Sequence, residues 1–178
     1  EDEFMGFTAT PCKQGTFALV VDAVSRCSNL REVFKLGIRM YNLIHEEVQT
    51  ELSEEDGIAF LNTRFMMPKL DPDHFYTEFW LVIWHRFSSW LIDRKISLIH
   101  VDLAYSKPDH SAELNYLFPC PKNFDCAQNQ LAFDSHYLNL PPIRSRSEIR
   151  AFLKHAPAGL MTIPGDDRSL RNKVTNFI

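Results

Sequence analysis

Glu78, His85 and Ser89 are polar side chains within a mainly aromatic and aliphatic run between His74 and Arg94. His85 and Ser89 follow Glu78 by seven and eleven residues, so at 3.6 residues per turn the three fall nearly on one line of a helix. A carboxylate, an imidazole and a hydroxyl on such a line could orient the polar end of a small molecule. Two other interpretations stay open: a thin solvent-facing edge, and a structural histidine whose hydrogen bonds are satisfied inside the fold.

Other combinations of these residue types do not predict a metal or catalytic site. His74 and Glu78 are one turn apart, but His85 lies roughly 10 Å beyond Glu78, too far for all three to share one ion. His100, Asp102 and a serine could be drawn as a triad, but no strained nucleophile turn accompanies them. The sequence has no glycine-rich phosphate loop, G-x-S-x-G elbow or H-E-x-x-H pattern. We therefore expect no cofactor, no metal and no catalysis.

The composition limits the classes of protein that this chain can belong to. It has 178 residues, 45% of them hydrophobic and 24% charged, which is ordinary for one globular domain. A net charge of -4 argues against nucleic-acid binding by this segment alone. No apolar run reaches the roughly 18 residues of a membrane-spanning helix, and no signal-peptide pattern occurs. The four cysteines lack C-x-x-C spacing, so we expect reduced, mostly buried thiols in a cytoplasmic protein.

Hydrophobic periodicity predicts the elements that must position the polar line. A helical pattern covers Thr16–Cys27 and Leu30–Leu43, with Ser28 or Asn29 as a cap between them. The pattern then changes to strict alternation on both sides of the polar turn 54–57, which predicts a β-hairpin.

The second half of the chain continues with mixed elements. After the aromatic helix 74–94 we expect a strand over 96–105 and a short helix over 111–118, then a second hairpin made of 123–125 and 130–134. A further helix is predicted near Ser147–His155. The fold class is therefore α+β: a mainly antiparallel sheet of two hairpins and a further strand, packed against the aromatic helix and an N-terminal helical hairpin.

Several strings along the chain, in order, resemble the N-terminal regulatory domain of one AraC/XylS-type subfamily of bacterial transcription regulators. This is the arabinose-binding-like domain found in many proteobacterial regulators. The resembling strings include Asp2-Glu3-Phe4-Met5-Gly6, Leu30-Arg31-Glu32-Val33, Trp84-His85-Arg86-Phe87-Ser88-Ser89-Trp90-Leu91, Asn129-Gln130-Leu131-Ala132-Phe133-Asp134 and Asp166-Asp167-Arg168-Ser169-Leu170.

The resemblance implies a cytoplasmic one-component regulator. Its N-terminal domain would sense a small organic molecule or form a homodimer, and DNA would be bound only through a missing C-terminal helix-turn-helix domain. We accordingly expect a ligand-sensing and dimerisation domain over residues 1–163, the start of a linker at 164–178, and no membrane contact. The residues expected to contact the effector are Tyr41, Glu78, Phe79, Trp80, Trp84, His85 and Tyr105. The alternatives are a purely structural dimerisation domain with no effector and, less favoured, a small-molecule enzyme.

Overall fold

Two helices open the part of the chain that the computed structural model describes, which comprises residues 2–154 and 156. Helix α1 covers Thr16–Val24 and helix α2 covers Leu30–Ile44. The side chain of Asn29 accepts a hydrogen bond from the Glu32 N–H, so of the two predicted caps it is Asn29 that begins α2. The predicted helical hairpin is confirmed, with α1 ending three residues before Cys27.

The predicted hairpin forms from strands β1, Val48–Glu55, and β2, Ile58–Phe65, paired antiparallel. Asp56 and Gly57 connect them with φ angles of 49° and 81°. Positive φ at both central residues matches the twist of the two strands in a two-residue hairpin turn, and glycine adopts this conformation without strain.

Among the described residues, five strands make one sheet in the order β1-β2-β5-β3-β4, where β3 is Leu98–Asp102, β4 is Lys122–Asn123 and β5 is Asn129–Asp134. The α+β class with a mainly antiparallel sheet is confirmed. The second hairpin is wrong: β4 pairs with β3 in parallel, and β5 lies between β2 and β3. The backbone carbonyls of Pro121 and Asn123 accept hydrogen bonds from the N–H groups of Val101 and Leu103. These carbonyls therefore pair with β3 and are not available for a hairpin between β4 and β5.

The free edge of the sheet at β1 is partly covered by α2. The Asn42 side chain donates to the Thr50 carbonyl at 2.9 Å and accepts from the Thr50 N–H at 3.1 Å. The Thr50 hydroxyl in turn accepts from the Trp80 indole N–H at 3.2 Å. One residue of the edge strand therefore connects α2 to the aromatic helix.

The aromatic helix α3 covers Phe75–Leu91 and is buried on most sides, as its composition predicts. Asp71 starts it: its carboxylate accepts from the backbone N–H groups of Tyr76 and Thr77 at 2.9 and 2.8 Å, and from the Thr77 hydroxyl at 2.7 Å. This acceptor is needed because His74, at the N-cap position, has φ 60° and makes no side-chain cap bond.

The core lies between the sheet and the helices α2 and α3. Phe34 of α2 stacks on Phe133 of β5 at 5.9 Å and on Trp84 of α3 at 5.5 Å between ring centroids. The segment predicted as one helix over 111–118 is a 3-10 helix, Asp109–Ala112, followed by α4, Leu114–Leu117.

The last described helix is α5, Arg146–Leu153, which begins with a capping box between Ser145 and Glu148. No helix in the described part of the chain is long and apolar enough to cross a membrane. The predicted linker over 164–178, with its helical segment from Arg168, lies outside the described residues.

Candidate functional site

The C-terminal half of the polar line holds the backbone that leads into β3. His85 is buried, and its Nε2–H donates to the Ile96 carbonyl at 2.7 Å. Ser89 donates to the His85 carbonyl and accepts from the Ile96 N–H at 3.1 Å. Burial lowers the pKa of His85 to about 4, so the imidazole is neutral at physiological pH. The Nε2 contact corresponds to the interpretation of His85 as a structural histidine, whereas Nδ1 has no hydrogen-bond partner within the described residues.

The N-terminal half of the line forms a second buried contact. Glu78 accepts from the Tyr105 hydroxyl at 2.7 Å, and His110 Nε2 lies 3.2 Å from the same carboxylate oxygen. The His74 ring stacks on Tyr105, with centroids 3.9 Å apart. Burial raises the pKa of the Tyr105 phenol, and its bond to Glu78 raises it further. Glu78 and Tyr105 do come together, but they satisfy each other.

A cavity of about 290 Å³ lies along the opposite side of α3 from Glu78. Its wall comes from five parts of the chain: the N-terminal segment, α1, α2, α3, and the end of α5 together with Ala156 just after it. The lining residues are Glu3, Phe4, Gln14, Gly15, Phe17, Ala18, Tyr41, Tyr76, Phe79, Trp80, Ile83, Leu153 and Ala156. Most of these side chains are aromatic or aliphatic, and a few polar groups stand among them.

Phe4 is the centre of the aromatic cluster at this wall. Its ring lies 5.5 Å from Tyr76, 5.6 Å from Trp80 and 6.2 Å from Tyr41, measured between centroids. It also packs on the His45 ring at 4.3 Å. Trp80 meets Phe4 and Tyr41 nearly edge-on, at 81° and 80°. Such edge-to-face pairs add about 0.5–1.5 kcal/mol each beyond their buried area, so the N-terminal segment is held firmly against α2 and α3.

Two acidic side chains hold this N-terminal segment in place. The Asp2 carboxylate accepts from the backbone N–H groups of Phe4, Gly6 and Cys12. Burial opposes the ionisation of Asp2, but these three bonds outweigh it and hold the pKa below its usual value. Glu3 accepts from Gly15 N–H at 2.6 Å and from the Phe17 N–H at 2.7 Å.

Glu3 thereby caps the first turn of α1, which has no capping side chain of its own because Gly15 stands at the N-cap. Sequence reasoning missed Glu3, Phe4, Tyr76, Ile83 and Leu153 as wall residues. The available signal for Glu3 was a helix start with glycine at the cap and no acidic residue in its first turn, which needs an acceptor from elsewhere.

Trp84 lies in the core, away from the larger cavity. It contributes to the wall of a void of about 20 Å³ between α1, α2 and α3, which is lined almost entirely by apolar groups. Its ring packs over Gly37, where an added Cβ would come within 3.0 Å of Trp84 Cη2. Replacing Trp84 with alanine would cost about 3–5 kcal/mol of stability, so that variant reports on packing before it reports on a ligand.

The seven predicted contact residues therefore separate into two groups. The structure places Tyr41, Phe79 and Trp80 together on the wall of the larger cavity. Glu78, His85 and Tyr105 line neither of these two cavities, and Trp84 lines only the smaller one. Contact with an effector stays a prediction for all seven. Within the described residues, no group of three or more His, Cys, Asp or Glu side chains is arranged to hold a metal ion.

Comparisons with known proteins agree with this architecture. The crystal structure of the transcriptional regulator CdpR from Pseudomonas aeruginosa has a similar fold, with a TM-score of 0.51 and 13% identity. The similarity covers 73% of this chain but only 43% of that regulator. Curated protein sequences give no match. The family model for the arabinose-binding domain of AraC transcription regulators, N-terminal, matches residues 1–142. The chain therefore belongs to the family of N-terminal arabinose-binding domains of AraC transcription regulators.

Proposed function

We propose that this chain is the effector-sensing and dimerisation domain of a cytoplasmic, DNA-binding transcription regulator, and that its effector occupies the 290 Å³ cavity. DNA would be bound by a separate helix-turn-helix domain of the same protein. The observation that carries the proposal is the make-up of the cavity wall, which joins the N-terminal segment to the end of α5.

The size and chemistry of the cavity suit a small organic molecule. Ligand sites commonly start near 300 Å³ and combine apolar walls with a few polar groups that fix orientation. Here Phe79 and Ile83 of α3 and Phe17 of α1 are half-buried and line the wall. Glu3 and the Tyr41 side chain supply polar atoms. Family membership supports a sensing role, since the family is a regulatory domain.

Helix α5 offers a route from the cavity to the rest of the protein. Leu153 and Ala156 belong to the wall, and the neighbouring Phe152 stacks on Trp90 of α3 with centroids 4.5 Å apart. Phe152 also contacts Phe17 of α1 at 6.1 Å. A ligand that binds one arrangement of α5 more tightly than another shifts the population between the two by its difference in affinity.

A cavity-filling variant tests the location of the effector. In Ile83→Trp the larger side chain would occupy the cavity, whereas in Leu19→Trp the same side chain is added at a position 63% exposed on α1 and outside the wall. Thermal melting of the chain is followed against a collection of bacterial metabolites. An effector present at about 100 times its Kd adds about 2.7 kcal/mol of stability, a clear rise in Tm.

We expect compounds that raise the Tm of the wild-type chain and of Leu19→Trp, and that leave Ile83→Trp unchanged. Equal shifts in both variants would place the ligand elsewhere. A complete absence of shifts, together with a dimer in native mass spectrometry, would favour the alternative of a purely structural dimerisation domain.

A further inference from the structure

The charge of the cavity wall limits which ligands it accepts. Within residues 2–154 and 156 the wall contains one charged side chain, the carboxylate of Glu3. Lys13 and Lys154 are chain neighbours of wall residues, but both are exposed and neither belongs to the wall. An anionic ligand that left water for this wall would lose its hydration without gaining a cationic partner among these residues.

The backbone does not supply an anion site in place of a basic side chain. The N-terminus of α1 borders the cavity at Gly15 and Phe17, and free N–H groups at a helix start would attract a negative ligand group. Glu3 already accepts from both of these N–H groups. The positive end of the helix dipole is thus neutralised by the protein itself.

Tyr41 and the aromatic rings of the wall favour a positive charge. Tyr41 is a buried residue of the wall, and its phenol oxygen can accept a hydrogen bond from an ammonium group. Burial raises the pKa of Tyr41, and the negative Glu3 nearby raises it further, so the field of this carboxylate reaches the Tyr41 side of the wall. Trp80, Phe4 and Tyr41 add aromatic rings to the wall, and the faces of such rings attract cations.

We propose that the effector is an organic cation, an amine with an apolar body, whose ammonium group lies between Glu3 and Tyr41 while its apolar part packs on Phe79 and Ile83. This inference rests on the proposed function of the same cavity and names the chemical class of its ligand.

Three probes that share one skeleton and differ in charge test the inference: phenethylamine, phenethyl alcohol and phenylacetate. Their affinities for the wild-type chain are measured by calorimetric titration near neutral pH. The amine is expected to bind about tenfold more tightly than the alcohol, and phenylacetate most weakly, because one cation–π contact and one partly buried ion pair together supply a factor of this size.

Two variants separate the effect of the cavity charge from a general effect of net charge. Glu3→Gln keeps an acceptor oxygen for α1 but removes the charge, and we expect it to abolish the preference for the amine while retaining affinity for the alcohol. Glu55→Gln removes one charge at an exposed position of β1 outside the wall and should keep the preference. Added salt should weaken binding of the amine more than binding of the alcohol. Melting curves establish that both variants are folded.

The other possible outcomes decide separately on the cationic ligand and on the proposed function. Equal affinity for amine and alcohol, or tighter binding of phenylacetate, overturns the cationic ligand, although binding that Ile83→Trp abolishes would still support the cavity. If none of the probes binds while metabolites sensitive to Ile83→Trp are found, the inference fails and the proposed function stands. If neither probes nor metabolites bind, both fail.

Discussion

Acidification should destabilise this domain through His85. The folded pKa of His85 is about 4, against 6.5 for an unperturbed histidine, because the ring is buried. The hydrogen bond from its Nε2–H to the Ile96 carbonyl raises the pKa but does not offset the effect of burial. Its Nδ1 has no partner within the described structure, so a proton added there would be buried without an acceptor.

The sign of the effect follows from proton binding. Between about pH 6.5 and pH 4 the unfolded chain holds a proton on His85 that the folded chain does not, so stability falls as the pH falls through this window. Each pH unit costs about 1.4 kcal/mol, which gives about 2 kcal/mol at pH 5 and about 3 kcal/mol near pH 4.

Urea unfolding near pH 7 and near pH 5 measures this contribution. In His85→Gln the amide can still donate to the Ile96 carbonyl, and we expect this variant to lose about 2 kcal/mol less than the wild-type chain between the two pH values. The control Ser89→Ala weakens the same junction without removing a titratable group, so it should be less stable at both pH values and keep the wild-type pH dependence. An identical pH dependence in wild type and His85→Gln would refute the reasoning.

Two further predictions concern packing and capping. Gly37→Ala should destabilise the fold by about 1 kcal/mol, although alanine favours helix, because its Cβ would crowd the Trp84 ring. The loss of stability should be smaller in a Trp84→Phe background. A Gly37→Ala variant more stable than the wild-type chain would contradict the prediction. Asp71→Ala should lower the free energy of urea unfolding by about 1–3 kcal/mol, because it removes the acceptor at the start of α3. Asp73 is exposed, and Asp73→Ala should change stability by less than about 0.5 kcal/mol. Equal losses in the two variants would show that Asp71 is not the cap.

The elements with strong periodicity were predictable from sequence, because local spacing determines which face they bury. Both N-terminal helices, the first hairpin and the buried aromatic helix follow from this rule, whereas the choice of Asn29 over Ser28 as the cap of α2 comes from the structure. The pairing of β4 did not, since a two-residue strand has no period and its partner is chosen by distant backbone groups.

The candidate site was predictable only in part. The aromatic composition of α3 indicated a site beside this helix, and Tyr41, Phe79 and Trp80 do lie on one cavity wall. The wall also depends on Glu3 and Phe4, from a segment without helical or strand periodicity, and their positions are set by hydrogen bonds to α1 and by ring packing. Sequence spacing along α3 does not reveal such contributions from distant parts of the chain.

The side-chain amide of Asn42 hinders the pairing of β1 with a strand from a second copy of this domain. A free strand edge offers a row of backbone donors and acceptors to any other extended chain, and that is the usual start of intermolecular sheet growth. At Thr50 both outward groups of β1 are already bonded to Asn42, and the exposed Glu51 and Glu55 would place like charges against a second copy. The opposite edge, β4, has only two residues. A dimer of this domain is therefore expected to use helix or loop surfaces, with each sheet remaining separate.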